Sequence, residues 1–178
     1  MNTYRLILIV LVGWMIVGKF HATAVRVQHD QKRCSAPEYH QFDFWIGRWD
    51  TFETNDSTKV IARNRVESMV GGCAIREVYE QGDGLVGESF SIYDAKRRVW
   101  HQSWVTNRGQ LLVLEGGFVD GKMILTGNDY TNDGRPRLLR GIWQRASDGV
   151  RETAETSSDG GRTWTPLFDI VFRPASKP

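Results

Sequence analysis

Trp100, Gln102 and Trp104 alternate within the stretch Arg98 to Thr106 and so share one face of an extended segment. Two indoles flanking one amide make a broad apolar surface with a single polar handle. That composition suits a ligand pocket, where aromatic walls supply burial and a few polar groups set orientation. It suits equally a narrow barrel packed solid by its own side chains, with Gln102 bonded to a neighbouring strand. Trp143 is expected on the same interior, where Gly141 would let its strand bend. Glu77 shares a face with Cys73, Ile75 and Tyr79, which sets a carboxylate among apolar neighbours. Pointing inward, it would have its pKa raised by burial unless a cation such as Arg140 or Arg151 paired with it. A surface Glu beside a cross-strand Arg is the plainer reading and the preferred one. Glu77 and Arg140 are therefore secondary polar candidates beside Gln102, Trp104 and Trp143.

His101 falls on the opposite face, with Val99, Ser103 and Val105. His29 and His40 belong to the N-terminal approach, and no Asp, Glu or Cys gathers near any of them at ligand spacing, so no metal site is expected. The chain also lacks a nucleophile elbow, a phosphate-cradling glycine loop and a dinucleotide fingerprint. These absences leave binding, or proton transfer by a lone acid or base, as the chemistry on offer.

Such residues need a scaffold that faces them inward. From Trp49 onward, short segments rich in Val, Ile, Thr, Tyr, Phe and Trp are separated by Asn, Asp and Gly clusters, several of them Asp-Gly, as in Asp120-Gly121. About ten strands follow from this rhythm, near 48–54, 58–67, 73–80, 85–93, 98–106, 110–118, 122–129, 137–146, 149–156 and 163–173. The connections are uniformly short, which predicts an antiparallel meander. A twisted sheet of that size either exposes two long edges or closes, and an all-β, antiparallel up-and-down barrel removes both edges. A two-sheet sandwich is the alternative.

One end of the barrel has an obvious stopper. Phe42, Trp45 and Ile46 recur at i, i+3 and i+4, one stripe of a short plug helix that Gly47 ends before Trp49 opens the first strand. Ser35 and Glu38 have capping-box spacing, with Pro37 in the first turn.

The basic start Met1 to Arg5, the apolar run Leu6 to Gly18 and Ala22-Thr23-Ala24 describe a signal peptide over residues 1–24. An uncleaved anchor is the alternative, because Lys19 and His21 make the cleavage region polar. Residues 25–34 read as an N-terminal extension and 35–176 as one barrel domain. Cleavage removes Arg5 and Lys19 from 23 basic residues and brings the chain into balance with its 21 acidic ones. Nucleic acid is therefore not an expected partner, since it demands a basic excess or stripe, and no stable membrane association is expected after cleavage. In a secreted or periplasmic chain, Cys34 and Cys73 are expected to pair, closing a loop that contributes roughly 4 kcal/mol.

Five stretches in order, Phe42–Asp50, Gly71–Glu77, Gly87–Asp94, Trp100–Val105 and Ser158–Trp164, resemble a family of secreted bacterial domains of unknown function with a lipocalin-like barrel. Gly47-Arg48-Trp49 looks like the Gly-x-Trp entrance of lipocalins and their relatives. The resemblance implies a calycin-type fold and export, with no established activity. Ser91 and Ile142 depart from the family, which tends to carry Asn and a more polar residue there; both changes would alter a lumen's polarity. Some lipocalin-like barrels bind haem, which would make His101 a lone axial ligand; a hydrogen-bonded strand residue is the preferred fate, and no cofactor is expected. The leading expectation is a barrel binding a small, mostly apolar ligand. An isomerase, cyclase or hydratase using Glu77 or His101 in the same lumen is the second reading. A filled barrel acting through a protein partner is the third.

Overall fold

The computed structural model describes residues 34–175. The expected signal peptide and nearly all of the 25–34 extension lie outside them. Ten strands follow one another: β1 (Gly47–Glu53), β2 (Ala62–Met69), β3 (Ala74–Gln81), β4 (Val86–Asp94), β5 (Val99–Thr106), β6 (Leu111–Val119), β7 (Lys122–Tyr130), β8 (Pro136–Ala146), β9 (Gly149–Ser157) and β10 (Thr165–Pro174). Each pairs antiparallel with its predecessor, and β10 returns to β1 over Trp49↔Pro174 to Glu53↔Ile170. The sheet is thus a closed up-and-down barrel, in agreement with a lipocalin-like fold. Among the described residues, no edge strand is left to recruit a neighbour.

Turn chemistry sets the register. Asp120 and Gly121 are the only residues between β6 and β7, and both have positive φ, 50° and 80°. That is the mirror-image hairpin turn which Asp-Gly accommodates and whose twist matches the strands it joins. Along each strand the period-two alternation then sends one residue set inward, as in β8, where Leu139, Gly141 and Trp143 are buried and their neighbours are not.

The stopper differs from the helix expected. In place of one α-helix there are two 3₁₀ turns, Pro37–His40 and Asp43–Trp45. Phe42 between them takes φ −103° and ψ 2°, which breaks the α-helical repeat. The cap position falls on Ala36, one residue after the Ser35 expected to hold it. A 3₁₀ turn eclipses residues three apart, and this stacks Phe42 on Trp45 with ring centroids 5.0 Å apart and planes 18° apart. Packing onto the barrel, more than helical propensity, decides the local geometry.

Gly47 is likewise no helix cap. It is the first residue of β1, and a Cβ there would meet the Trp49 indole at 2.6 Å. The Trp49 ring lies over it and donates from Nε1 to the Trp45 carbonyl at 3.0 Å. Phe42, Trp45, Trp100, Trp143 and Phe172 fill this end of the barrel with edge-to-face and tilted contacts. The Cys34–Cys73 disulfide fastens the stopper to the connection between β2 and β3. Among the described residues, no helix is long and apolar enough to cross a membrane.

Candidate functional site

Above the aromatic floor the barrel is hollow. A cavity of about 890 Å³ is lined by residues of β1, β3, β5, β6, β8, β9 and β10, together with the loops at the opposite end. The filled-barrel expectation is thereby corrected. The aromatics that would have packed the bore are gathered at the stoppered end, and the upper half carries shorter or wall-hugging side chains.

The wall-hugging is built by glycines. A Cβ on Gly87 would meet the Trp104 ring at 2.2 Å, and one on Gly141 would meet the Trp143 ring at 2.5 Å. Each indole therefore lies flat against a bare stretch of backbone instead of crossing the lumen. Gly141 serves to receive that ring, a role distinct from the strand bend expected of it. Tyr79 meets Trp104 edge-on at 6.0 Å and donates its hydroxyl to Gln81 Oε1 at 3.3 Å. Gln102 is 3 % exposed and donates from Nε2 to Ser91 Oγ at 3.0 Å, leaving the amide at the cavity wall.

Glu77 points inward, contrary to the preferred surface reading, and is 6 % exposed. Asn64 Nδ2 donates to its Oε1 and Ser89 Oγ to its Oε2, each at 2.8 Å. Burial nevertheless dominates: it pushes the Glu77 carboxyl up to about 7, with the two hydrogen bonds opposing the rise only in part. Neither sequence-predicted cation reaches it. Arg140 alternates to the outer face of β8, where Nε donates to Glu155 at 3.1 Å and the guanidinium lies 3.9 Å from the Trp164 ring centre. Arg151 pairs with Asp169, its Nε donating at 2.8 Å. Arg140 has its acidic partner on the outer face and Arg151 has its own at the mouth, so neither had to enter the bore. Arg140→Ala is therefore expected to change stability by no more than about 1 kcal/mol in urea melts, as half-exposed ion pairs do, and to leave the lumen unaltered.

The residue that sequence reasoning missed is Glu152. It lines the same cavity and is partly buried there. Burial raises its carboxyl well above the ordinary carboxylate range, the charge of Glu77 raises it further, and the nearby Trp143 indole N–H works against both. That indole still lacks a partner in hydrogen-bond geometry. A signal existed in the sequence: Val150, Glu152 and Ala154 share a face of β9, and Val150 and Ala154 mark it as inward. Burial and the two lumen carboxylates also hold the Tyr79 phenol above its ordinary range, so it stays neutral.

Other expected sites lie elsewhere. His101 is on the outer face, with Nδ1 against Glu115 Oε1 at 3.0 Å and Nε2 against Ser103 Oγ at 2.9 Å. A haem in the lumen would meet no histidine among the lining residues, and a lumen proton could not reach this one. Ile142 alternates outward as well, so only Ser91, fully buried, bears on lumen polarity. Among the described residues, no group of three or more His, Cys, Asp or Glu gathers as a metal site. The cavity is thus aromatic and aliphatic in its walls, carries two inward carboxylates, and includes no Lys, Arg or His in its lining. No protein-family model and no curated protein matches this chain.

Proposed function

We propose that this chain is an exported barrel that binds a small, mostly apolar molecule in its lumen, with Trp104 and Trp143 as walls and Gln102 as the orienting amide. The observation that carries the reading is the cavity of about 890 Å³, closed at one end and walled mainly by apolar and aromatic side chains. A cavity of that kind and size is the usual form of a small-molecule site. Export is supported by the basic, apolar, Ala-x-Ala order of the N-terminus and by the Cys34–Cys73 bridge, which belongs to an oxidising compartment.

The test is a titration with Nile red, an uncharged hydrophobic dye, followed by energy transfer from the lumen tryptophans. One site is expected. Trp104→Ala and Gln102→Ala should each weaken it by about tenfold, or ~1.4 kcal/mol, while Arg140→Ala should not. Unchanged affinity in Trp104→Ala would place the dye outside the lumen and overturn the reading. A second reading, proton-transfer catalysis of the isomerase, cyclase or hydratase type, is favoured by the two carboxylates held in one mainly apolar cavity with raised pKa values. Under it, Glu77→Gln abolishes turnover and leaves affinity intact.

A further inference from the structure

We propose that the guest carries one protonated amine on an apolar body, with the ammonium held between Glu77 and Glu152 and the body against Trp104. The inference rests on the lumen-binding reading and names the chemical class of its ligand. The lining includes the carboxylates Glu77 and Glu152 in the bore and Glu53 and Asp169 toward the mouth, and no basic side chain. Asp169 is already engaged by Arg151 and by the Thr54 hydroxyl at 2.7 Å. Glu77 and Glu152 face each other's charge with no cation from any element packed around them. Burying two carboxylates without a counter-charge is costly, and a fold retaining only their structural hydrogen bonds would do as well with amides.

A second feature lies at the same level, on the residue paired with Glu152 across the β8–β9 ladder. Trp143 is 3 % exposed, lines the cavity, and its indole N–H has no hydrogen-bond partner. An ammonium, which only donates, cannot complete this bond; the Glu152 carboxylate beside the indole can, once a guest's charge holds it ionised. Each Glu77 oxygen accepts one hydrogen bond from the protein and keeps a further lone pair for a guest N–H. The Trp104 face beside them suits a cation as well as an apolar chain. An anionic guest, by contrast, would meet like charge on every side that carries charge.

Proton bookkeeping follows. In the empty lumen near pH 7 the Glu77 carboxyl, at about 7, is partly protonated, and burial together with the Glu77 charge pushes Glu152 in the same direction. An ammonium arriving already protonated stabilises a carboxylate, so a carboxylic acid gives up its proton to the buffer as the ion pair forms. Tyr79 stays neutral throughout and takes no part.

Calorimetry with decylamine, decanol and decanoate, matched in chain length and kept below micelle formation, tests the assignment. Decylamine should bind at least tenfold more tightly than decanol at pH 8, lose that advantage by pH 5, and show an enthalpy that depends on the buffer's ionisation; decanol should show none of this. Glu77→Gln and Glu152→Gln should each remove most of the amine's advantage while leaving decanol within about twofold, which also certifies that the variant lumen is intact. Equal affinity for amine and alcohol, or tighter decanoate, would overturn the amine assignment and leave the apolar-guest reading standing. Failure of all three, and of Nile red, would overturn both.

Discussion

Glu77→Gln should make the unliganded protein more stable above neutral pH and leave it nearly unchanged in mild acid. The folded state holds the Glu77 carboxyl at about 7 against 4.5 for an ordinary glutamate. Folded chains therefore keep this proton where unfolded chains have lost it, and stability falls as pH rises from about 4.5 to about 7, then stays low. The full loss is about 3 kcal/mol at ~1.4 kcal/mol per unit. A glutamine never ionises, so the variant escapes the loss. It can still accept from Asn64 Nδ2 through Oε1, and its amide N–H can donate to Ser89 Oγ. Removing the charge also relieves Glu152, whose carboxyl Glu77 helps to push up. Urea melts at pH 5 and pH 8 check this. Wild type should lose roughly 2 to 3 kcal/mol between them through Glu77, since pH 5 already lies inside the falling range. The variant should lose less by about that amount, keeping what Glu152 contributes. A variant no more stable than wild type at pH 8 would mean that Glu77 is solvated or paired there, and the argument for an uncompensated lumen acid would fall with it.

Unplugging the barrel is the other large effect. Trp45 is 1 % exposed and stacks on Phe42, with Trp143 and Phe172 behind it at 5.7 and 6.1 Å. Its indole nitrogen has no hydrogen-bond partner, so Trp45→Ala loses packing and little else. Truncating a buried Trp costs about 3 to 5 kcal/mol, a large share of the ~5 to 15 kcal/mol that holds a domain of this size together. The Cys34→Ser, Cys73→Ser double variant should cost a similar amount, about 4 kcal/mol for a loop closed across 39 residues. The two routes differ in what they do to the lumen. Trp45 supports the floor on which Trp143 rests, so Trp45→Ala should weaken Nile red as well as lower the melting temperature. The bridge acts largely on the unfolded chain, and its loss should spare affinity in whatever fraction remains folded. A Trp45→Ala protein destabilised by less than about 1 kcal/mol would show that the stopper is not part of the core.

Local pattern carried much of the architecture. Alternation with a period of two is written into each strand, and Asp-Gly pairs mark where strands reverse, so the meander, the shared face of Trp100, Gln102 and Trp104, and the inward Trp143 were all readable before any coordinates. So was the pairing of two cysteines in a chain with an export-like start. The tertiary structure decided matters that depend on which distant groups come together. Arg140 and Arg151 alternate with the inward Trp143 and Glu152 and so turn away from the bore, where Glu155 and, at the mouth, Asp169 pair with them at lower desolvation cost. Glu77 takes the inward place it shares with Ile75, and Asn64 and Ser89, on the two flanking strands, supply there the donors that its own strand does not show. Glu152 lies some 75 residues further along the chain, and only closure of the barrel brings β9 into electrostatic reach of β3. The stopper is two 3₁₀ turns because packing against Trp100, Trp143 and Phe172 outweighs the propensity of so short a segment. A strand's sequence tells which side chains share a face, since that depends on backbone geometry alone; what charge waits across the bore depends on the ring of other strands, and that the chain states only once it is closed.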